Sequence, residues 1–254
     1  MLDYATYGSG PGRLLLIAHG LFGSGRNWGV IAKRLSNERT VVTVDMRNHG
    51  NSPWFDTHSY PDLAADLAEV IADIGEPVDV IGHSMGGKAA MILALDSPKS
   101  VHNLLIGDIA PVAYGHDQSQ FIAAMRAVDL EKVGRRSDAE TQLAALGIET
   151  ALISFFTQSL DVAGKRWRLN LDVLSEEMPK ILGFPDRSDV FQGRTLFLSG
   201  GRSDYVLPAY RQTITGLFPK ARFAKLNKAG HWLHADDPRG FETAARVFFD
   251  AASS

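Results

Sequence analysis

The chain has 254 residues, 45% of them hydrophobic, enough to bury one large core. Its 26 basic side chains against 29 acidic ones give a formal charge of -3, so neither nucleic acid nor an anionic membrane is favoured as a partner. Cysteine is absent, which excludes disulfides, thiolate metal sites and cysteine nucleophiles.

Met1-Leu2-Asp3-Tyr4 lacks the basic start and apolar stretch of a signal peptide, and no uncharged apolar run reaches the roughly 18 residues of a membrane span. A cytoplasmic protein without a span is expected. Leu2–Tyr7 alternates and suits an antiparallel edge strand. Leu14–Ala18, Val41–Val44, Val78–Ile81, Leu104–Ile106 and Thr195–Leu198 are nearly continuous apolar runs, the pattern of strands buried on both faces of a parallel sheet; Arg222–Leu226 is a further strand. Helical patterns fall between them. Pro61–Ile74 stripes Leu63, Leu67, Val70 and Ile74 on one face before a Gly75 cap, and Met85–Leu95 stops at Ser97-Pro98. Asp237-Pro238 supplies an N-cap and N1 proline for a last helix running to about Phe249. The alternation predicts an α/β fold with a mostly parallel central sheet and helices on both faces.

From Pro111 to about Gly193 the periodicity is helical only, with a capping box expected at Ser137-Asp138-Ala139-Glu140 and amphipathic turns at Ala151–Leu160 and Leu169–Met178. The expected organisation is a core of residues 1–110 and 194–254 with a helical cap, 111–193, inserted over one end of the sheet. The basic cluster Lys165-Arg166-Trp167-Arg168 is read as solvated.

Gly82-His83-Ser84-Met85-Gly86 is a G-x-S-x-G turn between the strand Val78–Ile81 and a helix of small residues. A serine on that sharp turn projects its hydroxyl above the sheet edge, and the glycines relieve clashes across it. Ser84 is therefore the candidate nucleophile. It needs a base, and the order Ser, acid, His puts the base late in the chain. His231, in Ala229-Gly230-His231-Trp232 after the last strand, fits this place, and His234 is expected to fix the loop. His19, His49 and His83 lie at strand ends without proton chemistry; His58, His102 and His116 are read as surface or structural.

Two aspartates qualify to orient His231. Asp204 follows Thr195–Leu198, and Asp108 directly ends the strand before the insertion, in Gly107-Asp108-Ile109-Ala110-Pro111. From the residues alone both stay open. An oxyanion hole needs the N–H of Met85 and one from His19-Gly20-Leu21-Phe22-Gly23, with Leu21 the expected donor and Phe22 the alternative.

His19-Gly20, Asp45-Met46-Arg47-Asn48-His49-Gly50-Asn51-Ser52, the Ser84 turn and Gly230-His231 together resemble the α/β-hydrolase superfamily along nearly the whole chain. Arg47-Asn48-His49-Gly50, GHSMGGK at Gly82–Lys88 and DIAP at Asp108–Pro111 resemble the YbfF-type esterase subgroup, related to mitochondrial abhydrolase-domain proteins. The resemblance implies hydrolysis of short-chain esters or acyl-thioesters without cofactor or metal. It also favours Asp108 as the acid, with Ser203 in support. Asp172, inside the insertion, fits neither sheet-edge position and ranks last. The expected partner is a small-molecule ester or thioester. Dehalogenases and many epoxide hydrolases of the superfamily carry aspartate where this chain has Ser84. Perhydrolysis, C–C hydrolysis and a slow-turnover ligand receptor remain as rivals. Phe121, Phe155, Phe156 and Trp167 are either core or the lining of an acyl pocket.

Overall fold

The computed structural model describes residues 1–116 and 118–250. In chain order, β1 is Tyr4–Ala18, α1 Gly29–Leu35, β2 Arg39–Val44, α2 Tyr60–Ile74, β3 Val78–His83, α3 Met85–Asp96 and β4 Val101–Gly107. A long segment then carries α4 (Ser119–Ala127), α5 (Arg136–Ala145), α6 (Thr150–Phe156), β5 (Leu160–Asp161), β6 (Arg166–Trp167), α7 (Leu171–Glu176) and α8 (Met178–Leu182). The chain ends with β7 (Arg194–Gly200), α9 (Arg211–Leu217), β8 (Ala221–Leu226), α10 (Leu233–Asp236) and α11 (Pro238–Asp250).

The main sheet has the order β2-β1-β3-β4-β7-β8. Leu15–Ala18 of β1 run parallel to Val41–Val44 of β2 and, on the other side, to Asp79–Gly82. The beginning of β1 behaves differently. Tyr4 lies opposite Val44 and Tyr7 opposite Val41, a descending register, so this arm runs antiparallel along the outer edge of β2. It covers an edge that would otherwise offer unpaired backbone groups. β3, β4, β7 and β8 are paired in parallel. The class is α/β, as the alternating elements predict.

Side chains alternate across each strand. Leu15, Ile17, Val41, Ile81 and Leu105 meet α1 and the Phe241, Phe248 and Phe249 face of α11. Leu16, Val42, Val80, Leu104 and Ile106 meet α2 and α3 on the other side. α2 starts where Ser59 accepts from Asp62 N and ends at Gly75, whose φ of +87° is left-handed. α3 is buried throughout Met85–Leu95, the middle of a sandwich rather than an amphipathic surface helix.

Two details of the segment between β4 and β7 depart from the sequence expectations. The capping box at Ser137 is not formed: α5 begins earlier, at Arg136, and Asp138 accepts the N–H groups of Gly134 and Arg135, both at 3.0 Å. β5 and β6 make a small antiparallel pair where no strand was expected, because two-residue strands carry no readable period. The basic cluster lies on this hairpin. Arg166 and Arg168 reach Asp161 at 3.3 and 3.6 Å, Lys165 pairs with Glu131, and Trp167 is buried with its indole N–H on Met125 O at 2.8 Å. Among the described residues no helix is long and apolar enough to cross a membrane.

Candidate active site

The turn after β3 forces Ser84 into φ +53° and ψ −120°, a strained conformation for a residue with a side chain. The turn is tight enough that a Cβ on Gly86 would stand 2.4 Å from His19 O, and one on Gly82 would stand 2.5 Å from Gly86 O. Only glycine fits at either place, which is the physical content of the motif. Ser84 N–H donates to Gly107 O at 3.0 Å, tying the turn to the end of the neighbouring strand β4.

Asp108 is the next residue after that strand, fully buried, with φ +49°. Its Oδ1 accepts Gly200 N–H at 2.9 Å; its Oδ2 accepts Ser203 Oγ–H at 2.5 Å and the Nδ1–H of His231 at 2.8 Å. With Nδ1 protonated, the lone pair of Nε2 is free for a hydroxyl, and Ser84 Oγ lies 3.0 Å from it. The Tyr205 ring stacks on the imidazole, centroids 4.0 Å apart, and His83 Nε2–H holds the His231 carbonyl at 2.8 Å. The structure thus brings together Ser84, His231, Asp108 and Ser203 from four separate loops.

Asp204 is not part of this group. Its side chain is exposed, and His231 already has Asp108 on Nδ1. Asp172, on α7, pairs instead with Arg126. Phe22 also differs from its sequence reading as an alternative oxyanion donor. Its N–H is already donated to His49 Nε2 at 3.2 Å, and its φ of +63° turns the loop there. Leu21 lies beside the cavity in the same loop, and Met85 begins α3, where an N–H has no acceptor within its own helix. Both residues border the cavity that contains Ser84.

A family model described as the alpha/beta hydrolase family matches residues 14–244. The chain belongs to this family. A mouse relative named sn-1-specific diacylglycerol lipase ABHD11 is 42% identical over 245 residues, covering 92% of this chain and 80% of that protein. Esterase YbfF of Escherichia coli (strain K12) is 38% identical over 246 residues, 93% of this chain and 92% of that one. A solved structure described as a marine microorganism esterase superposes with a TM-score of 0.92 at 35% identity, covering 97% of this chain and 98% of its own.

As in other α/β hydrolases, the site lies at the C-terminal ends of the parallel strands. A cavity of about 330 Å³ opens over Ser84 and His231, with Phe121, Leu152, Phe155 and Phe156 among its apolar walls. Trp167, the fourth aromatic considered from sequence, packs into the core of the insertion instead.

Around the cavity stands a scaffold of neutral histidines. His19 Nδ1–H donates to Gly20 O and its Nε2 accepts Met46 N–H; His49 Nδ1–H donates to Arg47 O. His58, buried rather than at the surface, accepts from the Asn48 amide on Nδ1 and faces Met85 Sδ with Nε2. His234 stacks on Trp28 with centroids 4.0 Å apart, which holds the loop as expected. Burial pushes His19 down to about 4; burial and then the neighbouring His19 push His49 down to about 3. Both groups therefore bind protons in the unfolded chain at pH values where the folded chain refuses them. Their stabilising effect is complete above about pH 6.5 and is lost as pH falls toward 4 and 3, at about 1.4 kcal/mol per pH unit for each. Melting temperatures measured from pH 7.5 to 4.5 should be level near neutrality and drop steeply below pH 6.5; equal values at pH 7 and pH 5 would disprove the account.

Sequence reading missed Lys88. It is the one lysine in Met85–Leu95, among glycines, alanines and large apolar residues, and it lines the cavity.

Proposed function

We propose that this α/β hydrolase is a serine ester hydrolase acting on carboxylic esters or acyl-thioesters, with Ser84 as nucleophile, His231 as base and Asp108 as the acid that orients it. The observation that carries the reading is the line of hydrogen bonds from Ser84 Oγ through His231 to Asp108, at 3.0 and 2.8 Å, with Ser84 and His231 lining an apolar cavity. The names of the mouse lipase and the bacterial esterase support it.

His231 Nε2 takes the Ser84 proton as Oγ bonds to the substrate carbonyl carbon. Met85 and Leu21 N–H groups hold the negative oxygen. The carbon–oxygen or carbon–sulfur bond to the leaving group then breaks, and His231 returns the proton to that group. Water attacks the acyl-enzyme by the same route, releasing the carboxylic acid and restoring Ser84. Asp108 keeps Nδ1 protonated and stabilises the imidazolium that forms, while Ser203 and Gly200 hold the carboxylate. The segment 111–193 acts as a cap supplying the aromatic wall, and a cavity of about 330 Å³ suits short to medium acyl chains.

The test is hydrolysis of p-nitrophenyl acetate, butyrate and octanoate with product followed beyond ten enzyme equivalents. Steady release, faster for butyrate than for octanoate, is expected. One equivalent of product followed by silence would instead describe a ligand receptor that is merely acylated.

A further inference from the structure

Tyr205 follows β7 in the loop that carries Ser203, and it lines the cavity. Its ring lies within 21° of parallel to the His231 imidazole, with centroids 4.0 Å apart. Hydrogen bonds to its backbone fix that placement. Tyr205 N–H donates to Ser203 Oγ at 3.3 Å, the same hydroxyl that donates to Asp108, and Tyr114 Oη–H donates to Tyr205 O at 2.6 Å. Tyr114 Oη in turn accepts Ala110 N–H at 2.9 Å, so the loop is tied to the chain just past Asp108.

The phenol brings no charge of its own: burial, then Asp108 and Asp204, push it up to about 12. The other histidines nearby add little repulsion. His83, its centroid 4.9 Å from that of His231, is held well below the ordinary histidine value by burial, and burial pushes His234 down to about 3. His116 stands edge-on to Tyr205 at 4.8 Å, and burial lowers it as well. An imidazolium at position 231 would therefore meet the Asp108 carboxylate at 2.8 Å and the Tyr205 face. The face of an aromatic ring is negative and attracts a cation within about 6 Å of its centroid, whereas a neutral ring gains only stacking.

We propose that Tyr205 is a positioning residue for the hydrolysis, holding its ring over His231 and stabilising the imidazolium formed in each half-reaction. The inference rests on the ester-hydrolase reading, in which the imidazole is charged twice per turnover. Nε2 first takes the Ser84 proton and later takes one from water. Loss of the ring face slows acylation and deacylation alike, so kcat falls while KM, which follows their ratio and substrate dissociation, stays.

Tyr205→Leu, which covers the imidazole without π electrons, should lower kcat for p-nitrophenyl butyrate about 3- to 30-fold, the worth of a cation on an aromatic face. Its KM should stay within about twofold, Tyr205→Met should behave as Tyr205→Leu, and Tyr205→Phe should restore both constants to within about twofold of wild type. In proton NMR spectra the His231 Cε1–H signal, assigned by its loss in His231→Gln, should lie upfield in wild type and Tyr205→Phe and move downfield in Tyr205→Leu. Wild-type kcat in the Leu and Met variants, a Phe variant as slow as Leu, a loss carried by KM alone or an unmoved signal overturns the proposal. In each of those cases wild-type turnover still upholds the ester-hydrolase reading. A wild type no faster than Ser84→Ala on every ester fails that reading and takes the proposal with it.

Discussion

Ser84→Ala should lower kcat for p-nitrophenyl butyrate by about 10⁵- to 10⁶-fold, the scale seen when the nucleophile of a serine triad is removed. Without Oγ no acyl-enzyme forms, and His231 has no hydroxyl 3.0 Å from Nε2. What survives is whatever Met85 and Leu21 do for a carbonyl attacked directly by water, about 10³- to 10⁴-fold over solution. The variant should also fail to react with a fluorophosphonate probe that labels the wild type at Ser84, read by mass spectrometry. A variant that keeps a tenth of the wild-type rate would remove Ser84 from the chemistry.

The second large effect separates the two aspartates. Asp108→Asn should cost about 10³- to 10⁴-fold in kcat, because an amide at this place holds the imidazole in the wrong tautomer. Asp204→Asn, an exposed change away from His231, should stay within about threefold. Asparagine is the substitution to make at 108, since a residue with φ +49° tolerates Asn better than Ala or a bulkier side chain. The backbone then stays where it is and the comparison reports the charge. Steady-state kinetics at pH 7.5 with both variants checks it, and a deeper loss in Asp204→Asn would transfer the acid role to that residue.

Much of this was legible in the chain because the signals are local. The strands of the parallel sheet are short apolar runs whose burial needs no partner to be guessed, and the Ser84 turn announces itself through two glycines that the backbone requires. The pairing of Asp108 with His231 was not local. It depends on β4 lying next to β3, so that the residue directly after β4 meets His231, whereas Asp204 comes four residues beyond the end of β7 and turns outward. Phe22 and Leu21 are neighbours in sequence, and only the position of His49, 27 residues on, shows which amide is already engaged. Lys88 escaped for a related reason. A single lysine in a helix is ordinarily a solvated side chain, and nothing in its spacing says that α3 is enclosed on every side.

The geometry of the site also sets a limit on how stable this protein can become. Phe22, Ser84 and Asp108 each hold a positive φ, of 63°, 53° and 49°, in the loops that follow β1, β3 and β4. Strain of this kind is worth about 1 to 3 kcal/mol per residue and is held in place by the packing around it. In the proposed mechanism, the positions at which the backbone has most to gain from relaxing are those that aim the oxyanion loop, the hydroxyl and the carboxylate. On the proposed mechanism, selection for thermal endurance and selection for turnover would pull this chain in opposite directions at the same three residues.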